Sequence, residues 1–388
     1  LSYAYRYSED VKKRFDRAQF NVEKFKTLSD IKHIPLLKKK ELIFLQSIGP
    51  RLGGLLTKDI GELKRIFLSP GPIFDPEDRM DDYWGYTEAF YSVGFRPGDV
   101  VQVTFNYHLS PAGLMFEEPL RNLGCASIPA GPTDPGTQLD IMQKLRVSGY
   151  VGTASYLMHL AQKAEEKGIN LRKDLFQEVA FVTGERLSEK MRNQLEKKFD
   201  IILRQGYGTA DVGCIGYECF HKTGLHISNR CYVEICHPDT GIPLKDGEVG
   251  EIVVTSFNKT YPLIRLATGD LSYIDRAPCA CGRTSPRLGS IVGRVDTTAR
   301  IKGMFVYPHQ VEQVMARFED IKRWQIEVIN PGGIDEMILY VEASNFHQED
   351  ELLHLFRERI KLRPELKVLA PGTLPPQIKP IEDKREWD

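Results

Sequence analysis

Between residues 98 and 210 short apolar runs alternate with amphipathic segments, a pattern that few folds satisfy. The apolar runs are "DVVQVTF", "CASIPA", "YVGT", "EVAFVTG" and "DIILRQGYG"; between them lie "AGLMFEEPLRNLG", "TQLDIMQKLRVSG", "SYLMHLAQKAEEKG" and "SEKMRNQLEKKF". Short strands separated by helices imply crossover connections, so the strands run parallel and helices wrap the sheet. In open α/β sheets ligands bind outside the carboxyl ends of the strands. Here those ends are "VTGE" at 182–185 and "QGYGTAD" at 205–211.

The flanks read differently. Residues 1–65 are charged and helical in pattern, with "LSDIKHIPLLKKKELIFL" offering a helix broken by Pro35. From about 229, runs such as "CYVEICHPDTG" and "GEVGEIVVTSF" indicate a mainly antiparallel, β-rich subdomain, and the tail after 293 has the content of a small α+β domain. A chain of 388 residues exceeds what one hydrophobic core supports, roughly 250–300 residues. The expected organisation is therefore α/β with two domains, 1–293 and 294–388.

Composition removes several function classes. A formal net charge of -1 provides no basic footprint for nucleic acid. No apolar run approaches the roughly 18 residues of a membrane span, and residues 1–30 show no charged start followed by an apolar run, although the sequence begins at Leu1 without a methionine, which leaves a targeting segment open. Seven cysteines, an odd number in a long chain, indicate thiols or metal rather than a disulfide framework, so a cytoplasmic setting is expected.

The densest stretch is "RQGYGTADVGCIGYECFHKTGLH", residues 204–226. By itself, "YGTAD" is a strand ending in a turn that exposes Tyr207 and Asp211. Further on, "LATGDL" ends a strand in Asp270, an acid able to accept hydrogen bonds from two ribose hydroxyls, and "GRVDTTARIKGMFVYPHQVE" opens the tail. With "VTGERLSE", "YECFHKTGLHI" and "PDTGIPLKDGEVGEIVVTSF", these ordered segments resemble the acyl-adenylate-forming superfamily, most closely its phenylacetate–coenzyme A ligase branch. "YAYRYSEDVKKRFD", "PLLKKKEL" and "GTASYL" extend the resemblance over nearly the whole chain.

The resemblance implies two steps: a carboxylic acid attacks the α-phosphorus of ATP, giving an acyl-adenylate and pyrophosphate, and coenzyme A thiolate then displaces AMP. Small-molecule acid and coenzyme A are the implied partners, with a homodimer left open. Gly184 and Glu185 would line the adenine, Tyr207 would pack on its ring beside Gly208 and Thr209, and Asp211 would hold Mg²⁺, a hard cation suited to carboxylate oxygen. Asp270 would fix the ribose, Arg294 would add permanent positive charge, and Gly303 would sit on the face used for thioester formation. Asp296 matches the hinge between the two half-reactions. A family lysine near the C-terminus, contacting the α-phosphate and carboxylate, corresponds best to Lys379, with Lys384 as competitor.

Two departures stand out. Ala210–Asp211 replaces a hydroxyl residue followed by glutamate, which shortens the reach to a metal. "FLSPGPIFDPE", residues 67–77, stands where the family carries a Ser/Thr/Gly-rich phosphate loop ending in lysine. Such loops aim backbone N–H groups at phosphate, and Pro70 and Pro72 have none. Ser69 and Gly71 survive, leaving a stiffer, weaker cradle or a plain rigid turn. An adenylating enzyme with an acceptor other than coenzyme A, and a non-catalytic nucleotide-binding descendant, are the competing readings.

Cys219, His226, Cys279 and Cys281 make a closed set of three thiolates and one imidazole that suits structural zinc, and relatives in this branch show a similar pattern. The spacing is not that of a standard finger; reduced buried thiols are the alternative, and His221 is a rival ligand. Phe105, Tyr107 and His108 are candidate walls for an aryl or arylacetic acid, or else core.

Overall fold

A computed structural model describes residues 1–69, 72–295, 299–301, 304–331 and 336–385. The chain divides into two compact units: Leu1–Thr268 with Tyr273–Ser290, and Gly269–Ser272 with Ile291–Asp388. The second unit therefore takes one short piece from within the first, at residues 269–272.

The first unit opens with helices at Ser2–Tyr7 and Glu9–Arg17 and a 3₁₀ turn at Leu28–His33. After Pro35 the chain forms strand β1 (Leu37–Lys38) and then the helix Lys39–Ile48. The sequence suggests a helix broken at Pro35, and the extended piece beyond it is set at long range: the Leu37 N–H donates to the Arg265 carbonyl at 2.8 Å, and β1 runs parallel to Leu266–Ala267. A hairpin follows, β2 (Arg65–Ser69) and β3 (Ile73–Glu77), antiparallel with Phe67 opposite Asp75.

The main sheet contains β4 (Val100–Val103), β5 (Ala126–Pro129), β6 (Gly149–Gly152), β7 (Val179–Val182), β8 (Ile202–Thr209), β9 (Gly213–Glu218) and β10 (Leu225–Ile227). Its parallel part has the order β8-β7-β6-β4-β5. Both faces are covered, which explains why these strands read as continuous apolar runs rather than alternating ones. On β7, Val179 and Phe181 join the cluster of Phe90, Phe95 and Phe116, while Ala180 and Val182 join that of Leu157, Leu160 and Leu203.

At the end of β8 the sheet changes character. The chain doubles back over Ala210–Val212 into β9, antiparallel to β8, and β10 pairs antiparallel with β9. Antiparallel structure thus begins before 229, where the sequence pattern places it. The turn depends on Gly213 at φ +86°, where a Cβ would lie 2.3 Å from the Trp84 carbonyl oxygen, so only glycine fits. Strands β11 (Cys231–Cys236), β12 (Gly250–Ser256) and β13 (Leu266–Ser272) form a second sheet with β1; β14 (Ile274–Asp275) and β15 (Arg287–Leu288) extend the main sheet beyond β10, and β16 (Gly293–Arg294) pairs with the far end of β13.

The second unit contains the small hairpin β17 (Ala299–Ile301) and β18 (Met304–Val306), and a four-stranded sheet of β19 (Arg323–Ile329), β20 (Glu336–Glu342), β21 (Glu365–Leu369) and β22 (Ile381–Asp383), ordered β21-β20-β19-β22. Val311 and Val314 of the helix Pro308–Met315, and Leu352 and Phe356 of the helix Glu349–Ile360, bury against Ile326, Val328, Leu339 and Val341. Among the described residues, no helix is long and apolar enough to cross a membrane.

Candidate active site and metal centre

Glycines let the end of β8 pass close to its neighbours. A Cβ on Gly206 would lie 2.3 Å from the Phe181 ring, and one on Gly208 would lie 2.2 Å from Tyr86 Oη and 2.4 Å from the Gly213 carbonyl oxygen. Tyr207 is half-buried between them. Thr209 Oγ1 accepts from the Val212 N–H at 3.3 Å and closes the turn that delivers Asp211, whose side chain is 1% exposed. Gly184 follows β7, the neighbour of β8, with φ +84°.

Glu185 serves as an anchor in this structure. Its carboxylate accepts from the Ser155 N–H at 2.6 Å and from Ser155 Oγ at 2.8 Å, at the start of the helix Ala154–Glu166. A carboxylate there also suits the positive end of the helix dipole. Behind β8 lies a buried pair: Arg192 Nη2 and Nη1 donate to Glu218 at 2.7 and 2.9 Å, and Glu218 also accepts from Gln205 N and Nε2 at 2.9 and 3.0 Å.

Two residues that sequence reasoning missed gather around Asp211. Lys39 Nζ lies 2.9 Å from Asp211 Oδ2. Asp75, wholly buried on β3, is near enough to feel the same carboxylate; burial first, and the Asp211 charge second, raise its carboxyl to about 8, against the opposing effects of Ser69 and Lys39. A lone acid on the inward side of "IFDPE" is a signal only once the hairpin is known. Ser69 is buried at the end of β2 and its hydroxyl donates to the Ile73 carbonyl at 3.4 Å. Gly71 lies outside the described residues.

In the second unit, Asp270 and Arg294 are opposite each other across β13 and β16, and Arg294 Nη1 donates to Asp270 Oδ1 at 2.9 Å. Gly269, at φ +82°, leaves room for that guanidinium: a Cβ there would lie 3.0 Å from Arg294 Nη2. Lys384 is engaged within its own unit, 2.8 Å from Glu327 and 3.7 Å from Glu382. Lys379 is exposed, and its carbonyl accepts from Gln325 Nε2 at 3.3 Å. Asp296 and Gly303 lie outside the described residues.

Cys219, at the end of β9, His226 on β10, and Cys279 and Cys281 between β14 and β15 converge so that their four ligand atoms lie within 4.8 Å of one another. Cys219 Sγ and Cys279 Sγ are 3.7 Å apart, and Cys281 Sγ is 3.4 Å from His226 Nε2. The other ring nitrogen, Nδ1, lies 3.3 Å from Ser285 Oγ, the kind of contact that orients a metal-ligating imidazole. Burial pushes Cys279 up, but contacts with Cys281, Thr223 and Cys219 outweigh it and bring the thiol down to about 7. Burial and the Arg283 and Arg287 charges lower His226, keeping it in the neutral form a metal requires. His221 is exposed and outside the cluster. Cys214, Cys231 and Cys236 are buried core thiols.

Profiles of known families agree with this architecture. One described as an AMP-binding enzyme matches residues 84–259, and one described as the AMP-binding enzyme C-terminal domain matches residues 303–385. The phenylacetate–coenzyme A ligase of Thermus thermophilus is 30% identical over 97% of this chain and 90% of its own length, and that of Escherichia coli is 26% identical over 97% and 89%. A crystal structure of 2-hydroxyisobutyryl-CoA ligase, in an open conformation with 2-HIB-AMP and CoA, superposes with a TM-score of 0.87 at 22% identity, covering 99% of this chain and 89% of that one. The chain belongs to the AMP-binding enzyme family, in its phenylacetate–coenzyme A ligase branch. It is an ATP-dependent, AMP-forming acid–coenzyme A ligase.

Proposed function

We propose that this ligase activates an aryl or arylacetic acid. The supporting observation is a pair of half-buried aromatic rings beyond the carboxyl end of β4, packed against the core and still partly exposed. Phe105 packs on Phe116 with ring centroids 5.1 Å apart and faces Gly184, where a Cβ would sit 3.6 Å from its ring. Tyr107 is half-buried and lies so close over Gly113 that a Cβ there would be 2.6 Å from its ring. Flat, apolar walls with few polar groups favour a planar substrate ring. His108, exposed at the end of this segment, has no such packing.

Within the same reading, Tyr207 and the Gly184 backbone receive the adenine, Asp270 and Arg294 the ribose and phosphate, and Lys379 the reacting oxygens. Lys379 is preferred to Lys384 because Lys384 is already committed to Glu327 and Glu382, whereas among the described residues Lys379 forms no ion pair. The small C-terminal domain, residues 294–388, would turn about Asp296 between half-reactions. Mg²⁺, when bound, neutralises phosphate charge; Asp211 would hold it, and its carboxylate already lies where positive charge is favoured, 2.9 Å from the Lys39 ammonium. Zinc at Cys219, His226, Cys279 and Cys281 is structural, since four protein donors leave no open position. Free cysteines throughout support a reducing, cytoplasmic setting.

The test is ATP–pyrophosphate exchange with Mg²⁺ across a panel of aryl, arylacetic and aliphatic acids, coenzyme A omitted. Exchange confined to aryl or arylacetic acids is expected. Exchange driven best by aliphatic acids would overturn the substrate class.

A further inference from the structure

The hairpin of β2 and β3 presents two buried acids on one face, and the structure treats them differently. Glu77, 1% exposed, is answered by Arg65 at 3.0 Å and Lys64 at 3.2 Å. Asp75, two residues earlier on the same face and 0% exposed, has no cation of its own on the hairpin. Among the described residues no donor meets either of its carboxylate oxygens in good geometry, and the nearby Ser69 hydroxyl turns to the Ile73 carbonyl at 3.4 Å. Its outward neighbour Phe74 is 45% exposed, so the acid's burial follows from strand alternation and not from general crowding.

Asp75 shares its surroundings with Asp211, and the pair has one nearby ammonium, Lys39, against Asp211 Oδ2 at 2.9 Å. Two carboxylate oxygens without donors, both on Asp75, and, among the described residues, a single ammonium beside two acids leave the cluster under-compensated. Hard oxygen donors with spare lone pairs are what a small divalent cation takes, with water and phosphate oxygens completing its shell.

We propose that Asp75 is a second carboxylate ligand, alongside Asp211, for the divalent cation that accompanies the nucleotide. The inference rests on the reading of Asp211 given above. The proline-bearing hairpin then has a positive role, bringing an acid to the metal side of the site in place of a row of backbone donors. Asp75 also offsets the shorter reach of Asp211, because two carboxylates can share one ion that neither holds alone.

The experiment titrates Mn²⁺ into the full chain in magnesium-free buffer, with and without α,β-methylene-ATP, and follows free Mn²⁺ by electron paramagnetic resonance. Wild type, Asp75→Asn, Asp75→Ser and Asp211→Asn are compared, each checked for folding by circular dichroism. The expected result is a tenfold or greater loss of Mn²⁺ affinity in both Asp75 variants as well as in Asp211→Asn. If either folded Asp75 variant binds Mn²⁺ like the wild type while Asp211→Asn is weakened, Asp75 is only a buried acid and the inference fails, with the Asp211 reading intact. If all three variants bind Mn²⁺ like the wild type, both readings fail.

Discussion

Replacing Arg192 by methionine tests how the end of β8 is held. The guanidinium is 1% exposed and Glu218 4%, so neither charge is appreciably screened by water. Arg192 supplies two of the four hydrogen bonds that Glu218 accepts, and the other two come from Gln205 on β8. Methionine preserves much of the volume but leaves a buried carboxylate with only the Gln205 donors. Breaking a buried pair in this way costs about 3–5 kcal/mol, a large share of the roughly 5–15 kcal/mol that stabilises a typical domain. The double variant Arg192→Met/Glu218→Met removes both charges and should cost less than the single one, because, of the two Gln205 donors that remain, the half-buried side chain is free to turn to other acceptors, leaving the backbone N–H unpaired at about 1–3 kcal/mol. The assay is urea titration followed by hydrogen exchange of amides 202–218, which reports this segment rather than the whole chain. A loss below about 1 kcal/mol in Arg192→Met, or a double variant as unstable as the sum of the singles, would refute the idea that this pair is desolvated and coupled.

Metal analysis of protein purified without chelator should find one zinc per chain, and Cys281→Ser should lower both zinc retention and thermal stability; less than half an equivalent in the wild type would remove the metal centre. Gly208→Ala should destabilise the first unit by about 1–3 kcal/mol, as overpacking does, because the new Cβ would meet Tyr86 Oη and the Gly213 carbonyl well inside contact distance; an unchanged urea midpoint would show that the strand end yields. Lys379→Ala should suppress acid-dependent pyrophosphate exchange while sparing thioester formation from supplied acyl-adenylate. If Lys384→Ala alone produces that split, the assignment passes to Lys384.

Much of the architecture was legible because it depends on local pattern. The apolar runs between 98 and 210 announce parallel strands, since a run buried on both faces has nothing polar to alternate with. The donor set Cys219, His226, Cys279 and Cys281 could be named from residue type, and the fold brings those four atoms together through the pairing of β10 with β9 and β15. Glu185 was legible as a strand-end acid, but its engagement with Ser155 was not, because that bond joins two βα connections whose proximity only the sheet order creates.

By itself, then, the sequence determined the alternation of strands and helices, the glycines that let β8 turn, and the chemistry available at each strand end, all of which follow from backbone sterics and short-range periodicity. Tertiary structure alone decided that β1 lies along β13, that Asp75 points inward, and that Lys39 meets Asp211. Lys39 and Asp211 are far apart along the chain, and no local propensity encodes their meeting. A buried charge acquires its partner from whichever surface the folded chain lays against it, and that surface exists only once the whole core has closed.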